Sequence, residues 1–258
     1  MSAAVRTSSN QPDSEQRFFG QVALVTGAAH RTGASIASHL SSHGAQVVVH
    51  YWSSAAFARE LVEQIGGDAT GCYAESADLT DPLSVESLVD RIITRSGHID
   101  LLVNNVGTFQ VKQIDRLEPD EWEQGIRTTV TAAFLVCRAV LPHMRAQNFG
   151  RIINIADSAA DKISPQPTLT PYMVGKTGVL ILTKSLASVT ANSDITVNAV
   201  SPGIMENSVT KPSGGPESIP KKRYGTYADL NAAIDFFLRR ETSYITGENL
   251  KVSGGWHS

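Results

Sequence analysis

Residues 22–51 read VALVTGAAHRTGASIASHLSSHGAQVVVHY: an apolar run, a turn bearing Gly27 and Gly33, an amphipathic stretch closed by Gly44, and a second apolar run. Strand, glycine turn, helix and strand in that order admit few folds, because parallel strands need a long crossover that covers a face of the sheet. The alternation continues to the end of the chain, with β-branched runs at 69–76 (ATGCYAES), 100–105 (DLLVNN), 151–156 (RIINIA), 195–201 (ITVNAVS) and 249–253 (NLKVS) separated by helix-length segments. The expected fold class is α/β: a single-domain Rossmann fold, a doubly wound parallel sheet of about seven strands with helices on both faces.

With 258 residues, 41% hydrophobic and 18% charged, the chain is long enough for one large core. A net charge of −3 gives no electrostatic footprint for nucleic acid or an anionic membrane, and the basic run KKR at 221–223 reads as a solvated loop. No run reads as a membrane span. Cys72 and Cys137 lie far apart with no ligand-like spacing, so buried free thiols in a reducing compartment are expected and no metal site is. Residues 1–18 are polar and lack the apolar region of a secretory signal, which predicts a disordered tail on a cytoplasmic protein and a catalytic domain over 19–258. Within it, the Pro-, Gly- and Ser-rich stretch 204–220 reads as a lid loop.

A glycine turn between strand and helix presents backbone N–H groups and a positive helix end to a pyrophosphate. The second strand ends HYWSS, without the Asp or Glu that would hold a free ribose 2′-hydroxyl. Arg31, with the hydroxyls of Ser53 and Ser54, is placed to surround a phosphate dianion instead, so NADPH is the expected cofactor. Helix capping by Ser53 and Ser54 is compatible with that role.

TGAAHRTG (26–33), ADL (77–79), NNVG (104–107), YMVGK (172–176), NAVSPG (198–203) and YITGENLKVSGGW (244–256) together resemble the ordered motifs of the short-chain dehydrogenase/reductases. Within that superfamily the chain is most similar to the pteridine reductases. AAHR resembles their AAKR, HYWSS their HYxxS phosphate pocket, and Phe109 falls where they stack a pterin ring; Asp157 stands where most of the superfamily has serine. The resemblance implies cofactor contacts from Gly27, Arg31, Thr32, Gly33, His50, Tyr51, Ser53 and Ser54 at the phosphates, and from Asp78 and Leu79 at the adenine. It implies further contacts from Asn105, Val106, Gly107, Thr129, Tyr172 and Lys176 along the cleft and from Pro202, Gly203 and Ile204 at the nicotinamide, with Phe109, Asp157, Tyr172 and Met205 toward the substrate. It also implies a homotetramer or homodimer built on helices at 119–147 and 171–190.

Tyr172 and Lys176, four apart on a helix, share a face. A neighbouring ammonium favours phenolate, so the expected Tyr172 pKa lies below the ordinary phenol value and the residue becomes a competent proton donor. Asp157 separates the chemistries. A serine would donate to a carbonyl, whereas an ionised aspartate only accepts and would repel a developing alkoxide. A planar substrate that offers N–H donors and gains a proton on nitrogen suits a carboxylate that relays through Tyr172 or a water. The alternative for Asp157 is capping of its own turn, and for Phe109 and Trp122 plain packing. Thr129 replaces the asparagine that supports the family's water chain to the lysine, and Arg127 reads as a surface or interface residue. Asn207 and Ser208 stand near the cofactor or the substrate. The reading is an NADPH-dependent reductase of a C=N or C=O bond in a pterin-like heterocycle. Its alternatives are a ketone or 3-oxoacyl reductase, an iminium reductase of natural-product biosynthesis, and a non-catalytic NADP-binding regulator.

Overall fold

The computed structural model describes residues 16–256. Strands β1 (Val22–Val25), β2 (Gln46–Tyr51), β3 (Tyr73–Ser76), β4 (Leu101–Asn104), β5 (Gly150–Ile155), β6 (Ile195–Pro202) and β7 (Asn249–Val252) form one sheet in the order β3-β2-β1-β4-β5-β6-β7. Every neighbouring pair is parallel. Crossovers are made by α1 (Arg31–Ser42), α2 (Ala55–Gln64), the single turn α3 (Gly67–Thr70), α4 (Pro82–Ser96), α5 (Pro119–Ile126), α6 (Ala132–Ala146), α7 (Thr170–Val189) and α8 (Tyr227–Leu238).

Residues of β1, β4 and β5 are buried without exception, because helices cover both sheet faces and leave no solvent side to alternate toward. Ile36 and Leu40 of α1, Leu61 of α2 and Ile234 and Phe237 of α8 pack on one face. Leu88 and Ile92 of α4 and Val136, Val140 and Met144 of α6 pack on the other, where Val179 and Leu180 of α7 join Ala133. β1 and β4 are neighbours in space but not in sequence, and the crossovers leaving them run in opposite directions. That divergence opens a crevice at their carboxyl ends.

Four details differ from the sequence reading. β3 begins at Tyr73 rather than residue 69, because Thr70 donates its hydroxyl to the Ile65 and Gly67 carbonyls and closes a helical turn first. The expected tail over 1–18 lies outside the described residues up to 15, but its last members are anchored. Phe18 is buried, and Arg17 Nη1 donates to Asp235 Oδ2 at 2.6 Å. The continuous run Pro119–Ala146 does reach the length and apolarity of a membrane span, with mean hydropathy 1.2 in its most apolar window. Half of that window is buried by the rest of the chain, and the run is not one regular α-helix. Between α5 and α6 lies a π-helical stretch, Arg127–Thr131, in which the N–H of Ala132 reaches the Arg127 carbonyl five residues back.

Within 204–220, Met205 pairs with Gly225 as an isolated bridge and Ile219 is buried, so both ends of the segment are tied to the body.

Candidate active site

The turn after β1 is held from below. Asn105 donates its side-chain amide to the Thr26 carbonyl at 3.1 Å and the Gly27 carbonyl at 3.2 Å, and its backbone N–H to Thr26 Oγ1 at 2.9 Å. Gly27 has φ +60, and a Cβ on Gly33 would lie 2.2 Å from the Gly27 carbonyl oxygen, so only glycine fits there. His30 at the N-cap of α1 is extended and makes no side-chain cap bond. The first-turn N–H groups therefore face the crevice as donors, the arrangement that receives a pyrophosphate.

Two connected clefts open from this turn, one of about 630 Å³ and one of about 530 Å³. Gly27, His30 and Val106 line both. The larger runs past Tyr51, Ser53 and Ser54 to Asp78 and Leu79, as the adenosine half of a dinucleotide site would. The smaller holds Gly107, Phe109, Asp157, Tyr172, Pro202 and Met205, with Thr32, Gly203 and Ile204 also on its wall.

Arg31 and the pair Ser53 and Ser54, expected together at a phosphate, line different clefts. Arg31 adopts φ +57, and its guanidinium turns away to donate to the Asn207 carbonyl at 2.6 Å. It lines the smaller cleft only, while His30 lines both. His50 lines the larger cleft and is also bonded within the chain. Gly27 N–H donates to His50 Nδ1 at 3.0 Å, which leaves Nε2 to donate to the Ala77 carbonyl at 3.1 Å. Burial pushes its pKa down to about 4, against the bond to Ala77, so the ring is a neutral strut between the phosphate turn and the adenine strand. Asp78 likewise spends Oδ1 on the backbone and hydroxyl of Thr80.

In the reaction half, α7 starts at the far wall and presents Tyr172 into the cleft, with Lys176 one turn on and fully behind it. The Tyr172 hydroxyl donates to Asp157 Oδ2 at 3.2 Å, while Asp157 Oδ1 accepts the Ala159 N–H at 2.9 Å. Capping and contact with the phenol, alternatives at the level of sequence, are thus both present, one on each oxygen. Phe109 is no core residue. The residue is 36% exposed, and its ring meets the Tyr172 ring edge-on, with centroids 5.1 Å apart.

The Tyr172 pKa is raised well above the ordinary phenol value, by burial first and then by the charge and hydrogen bond of Asp157, which corrects the expected lowering by Lys176. Lys176 Nζ instead donates to the Ile155 carbonyl at 2.5 Å and lies 5.7 Å from the centre of the Tyr172 ring. Burial lowers its pKa to about 8, opposed by the charge of Asp157. Thr129 and Lys176 are behind the wall rather than on it: a Cβ on Gly107 would lie 3.4 Å from Lys176 Nζ and 3.7 Å from Thr129 Oγ1. Thr129 donates its hydroxyl to the Gly125 carbonyl at 2.8 Å, so its proton is not available to a water chain. Arg127 is exposed and reaches Thr80, away from Asp157. His30, Gln166, Leu169 and Trp256 are among the wall residues that the sequence reading did not name.

A glycine turn on one wall of a switch-point crevice and a tyrosine–lysine pair on the other define a dinucleotide-dependent oxidoreductase. The chain belongs to the short-chain dehydrogenase/reductase family: the family described as Enoyl-(Acyl carrier protein) reductase matches residues 27–257. It is 33% identical to 3-oxoacyl-[acyl-carrier-protein] reductase FabG of Salmonella typhimurium, across 93% of this chain and 98% of that protein. Identity to the FabG of Escherichia coli is 32% over the same shares. Among solved structures it is similar to a putative short-chain alcohol dehydrogenase from Sinorhizobium meliloti, with a TM-score of 0.83, 29% identity and coverage of 94% of this chain and 98% of that one. A putative gluconate dehydrogenase from Agrobacterium tumefaciens gives a TM-score of 0.85 at 26% identity, covering 95% and 98%. These names speak for enoyl, 3-oxoacyl and alcohol substrates, and none names a pterin.

Proposed function

We propose that this enzyme is an NADPH-dependent reductase of a C=N or C=O bond in a planar, N–H-bearing heterocycle of the pterin type. The observation that carries the reading is the bond from the Tyr172 hydroxyl to Asp157 Oδ2 beside the edge of Phe109. A carboxylate here accepts N–H groups of a flat ring and holds the phenol protonated, whereas the alkoxide that forms from a ketone would be repelled by it. When bound, NADPH supplies the hydride. Tyr172 gives its proton to the substrate nitrogen or oxygen, and Asp157, half-buried and open to the cleft, returns one from solvent. Lys176, an ammonium below about pH 8, holds positive charge beneath the site. His30, Ser53 and Ser54 grip the 2′-phosphate, and Arg31 serves the junction between pyrophosphate and substrate, joined to the 204–220 lid through Asn207. Exposed Phe134, Val174, Ile181 and Val189 on α6 and α7 suit burial between copies of a cytoplasmic homotetramer or homodimer.

The second reading, a 3-oxoacyl reductase, is favoured by the names of the relatives at 32–33% identity. Following NADPH absorbance with a dihydropterin and with acetoacetyl-CoA separates the two: faster turnover of the dihydropterin supports the first, and turnover of acetoacetyl-CoA alone refutes it.

A further inference from the structure

Phe109 belongs to a stretch after β4 with no regular structure except a 3-10 turn at Ile114–Arg116, yet that stretch is tied down on both sides. On the α5 side one carboxylate does the tying. Glu121 Oε1 accepts from Gln110 Nε2 at 2.9 Å, and Oε2 accepts from Lys112 Nζ as well as from the Glu118 N–H at 2.9 Å. The Glu118 bond completes the capping box of α5. The bonds to Gln110 and Lys112 serve no helix. On the opposite side, Lys112 N–H donates to the Thr168 carbonyl at 3.0 Å and Ile114 N–H to the Pro167 carbonyl at 2.8 Å. The Gln166 carbonyl in turn accepts the Thr170 hydroxyl at 2.7 Å, at the start of the helix that presents Tyr172. Glu121 thus binds the segment that supplies Phe109, and through it the segment that supplies Gln166 and Leu169 to the same cleft.

We propose that Glu121 is a positioning residue for substrate specificity: through Gln110 and Lys112 its carboxylate fixes residues 108–114 and so sets the gap between Phe109 and Tyr172 that the substrate must enter. Glu121 and Lys112 are partly exposed, at 27% and 33%, so their ion pair alone is weak. The effect comes from removing the conformational freedom of a loop that would otherwise have to be ordered by the substrate itself. The proposal rests on the Phe109–Tyr172 wall being the substrate wall and not on which ring it admits.

The test uses Glu121→Gln, which keeps the size and a capping oxygen but removes the charge, together with Lys112→Met and the double variant. Amide hydrogen exchange at Lys112 and Ile114 is expected to rise about tenfold in either single variant, because it reports local opening. KM for whichever of the dihydropterin and acetoacetyl-CoA is turned over is expected to rise about fivefold, with kcat and KM for NADPH changed less than about twofold. The double variant should be no worse than the worse single one, since both break the same clamp. Unchanged exchange overturns the clamp whatever the substrate. A fall in kcat at constant substrate KM, or losses that add in the double variant, also overturns it. If neither probe is turned over by the unsubstituted enzyme, the proposed substrate class fails, while the exchange result still decides the clamp.

Discussion

The two halves of the cleft are built from opposite materials. The larger cleft is lined in part by side chains already bonded within the chain, His50 with both ring nitrogens bonded and Asp78 with Oδ1 held by Thr80. The reaction half concentrates Asp157, Tyr172 and Lys176, with the phenol pushed up by burial and Asp157 and the amine pushed down to about 8 by burial. In the larger cleft the bonded side chains are held in place before any ligand enters. The other keeps protons close to transfer, which is where pKa values are expected to depart from ordinary ones.

Removing the proposed proton donor should separate the halves most sharply. Tyr172→Phe is expected to lower kcat by about a thousandfold, the range lost with a general acid, while NADPH affinity measured by fluorescence titration stays within about twofold. Loss of both together would mean that the halves are not independent.

His50 gives the next largest effect. Its folded pKa of about 4 lies below its unfolded value of 6.5, so between these values the unfolded chain binds more protons and stability falls as pH falls. The full loss is about 3 kcal/mol, and urea denaturation at pH 7 and pH 4 should show a smaller difference for His50→Gln by about that amount.

Cofactor choice should follow His30 rather than Arg31. His30→Ala is expected to raise KM for NADPH about tenfold without lowering kcat, as loss of one charge-assisted hydrogen bond would. Arg31→Ala should leave the preference for NADPH over NADH within about threefold, because its guanidinium faces Asn207. A reversal of preference by Arg31→Ala alone would restore the sequence-level assignment.

The smallest effect is a pH limb. Since Lys176 loses its charge above about pH 8, kcat/KM should fall on the alkaline side of that value, and Lys176→Arg should move the limb upward. A limb near the ordinary lysine value would show the ammonium to be better solvated than its burial implies.

The strands and the Tyr172–Lys176 pair were legible because both are local periodicities: uninterrupted apolar runs for strands covered on two faces, and a four-residue spacing for the pair. The contact of Arg31 with Asn207 was not legible, because it depends on a positive φ that no pattern of residue types announces outside glycine and on a partner 176 residues away. His50 was placed at the cofactor by the resemblance of HYWSS; that both its nitrogens also bond Gly27 and Ala77 depends on strands far apart in sequence. The same holds for the Tyr172 pKa. Spacing placed an ammonium nearby, but burial and Asp157, fifteen residues upstream in the chain, set the direction. The anchoring of Phe18 and the π-helical stretch that carries Thr129 are likewise products of tertiary packing.

The pairing of Asp157 with Tyr172 as a filter for nitrogen heterocycles is tested most directly by the ratio of kcat/KM for a dihydropterin to that for acetoacetyl-CoA, in the unsubstituted enzyme and in Asp157→Ser. A ratio above one that falls by about a hundredfold on substitution, as an acceptor is exchanged for an oxyanion donor, is the predicted result. A preference for acetoacetyl-CoA from the outset, unmoved by the substitution, would contradict it.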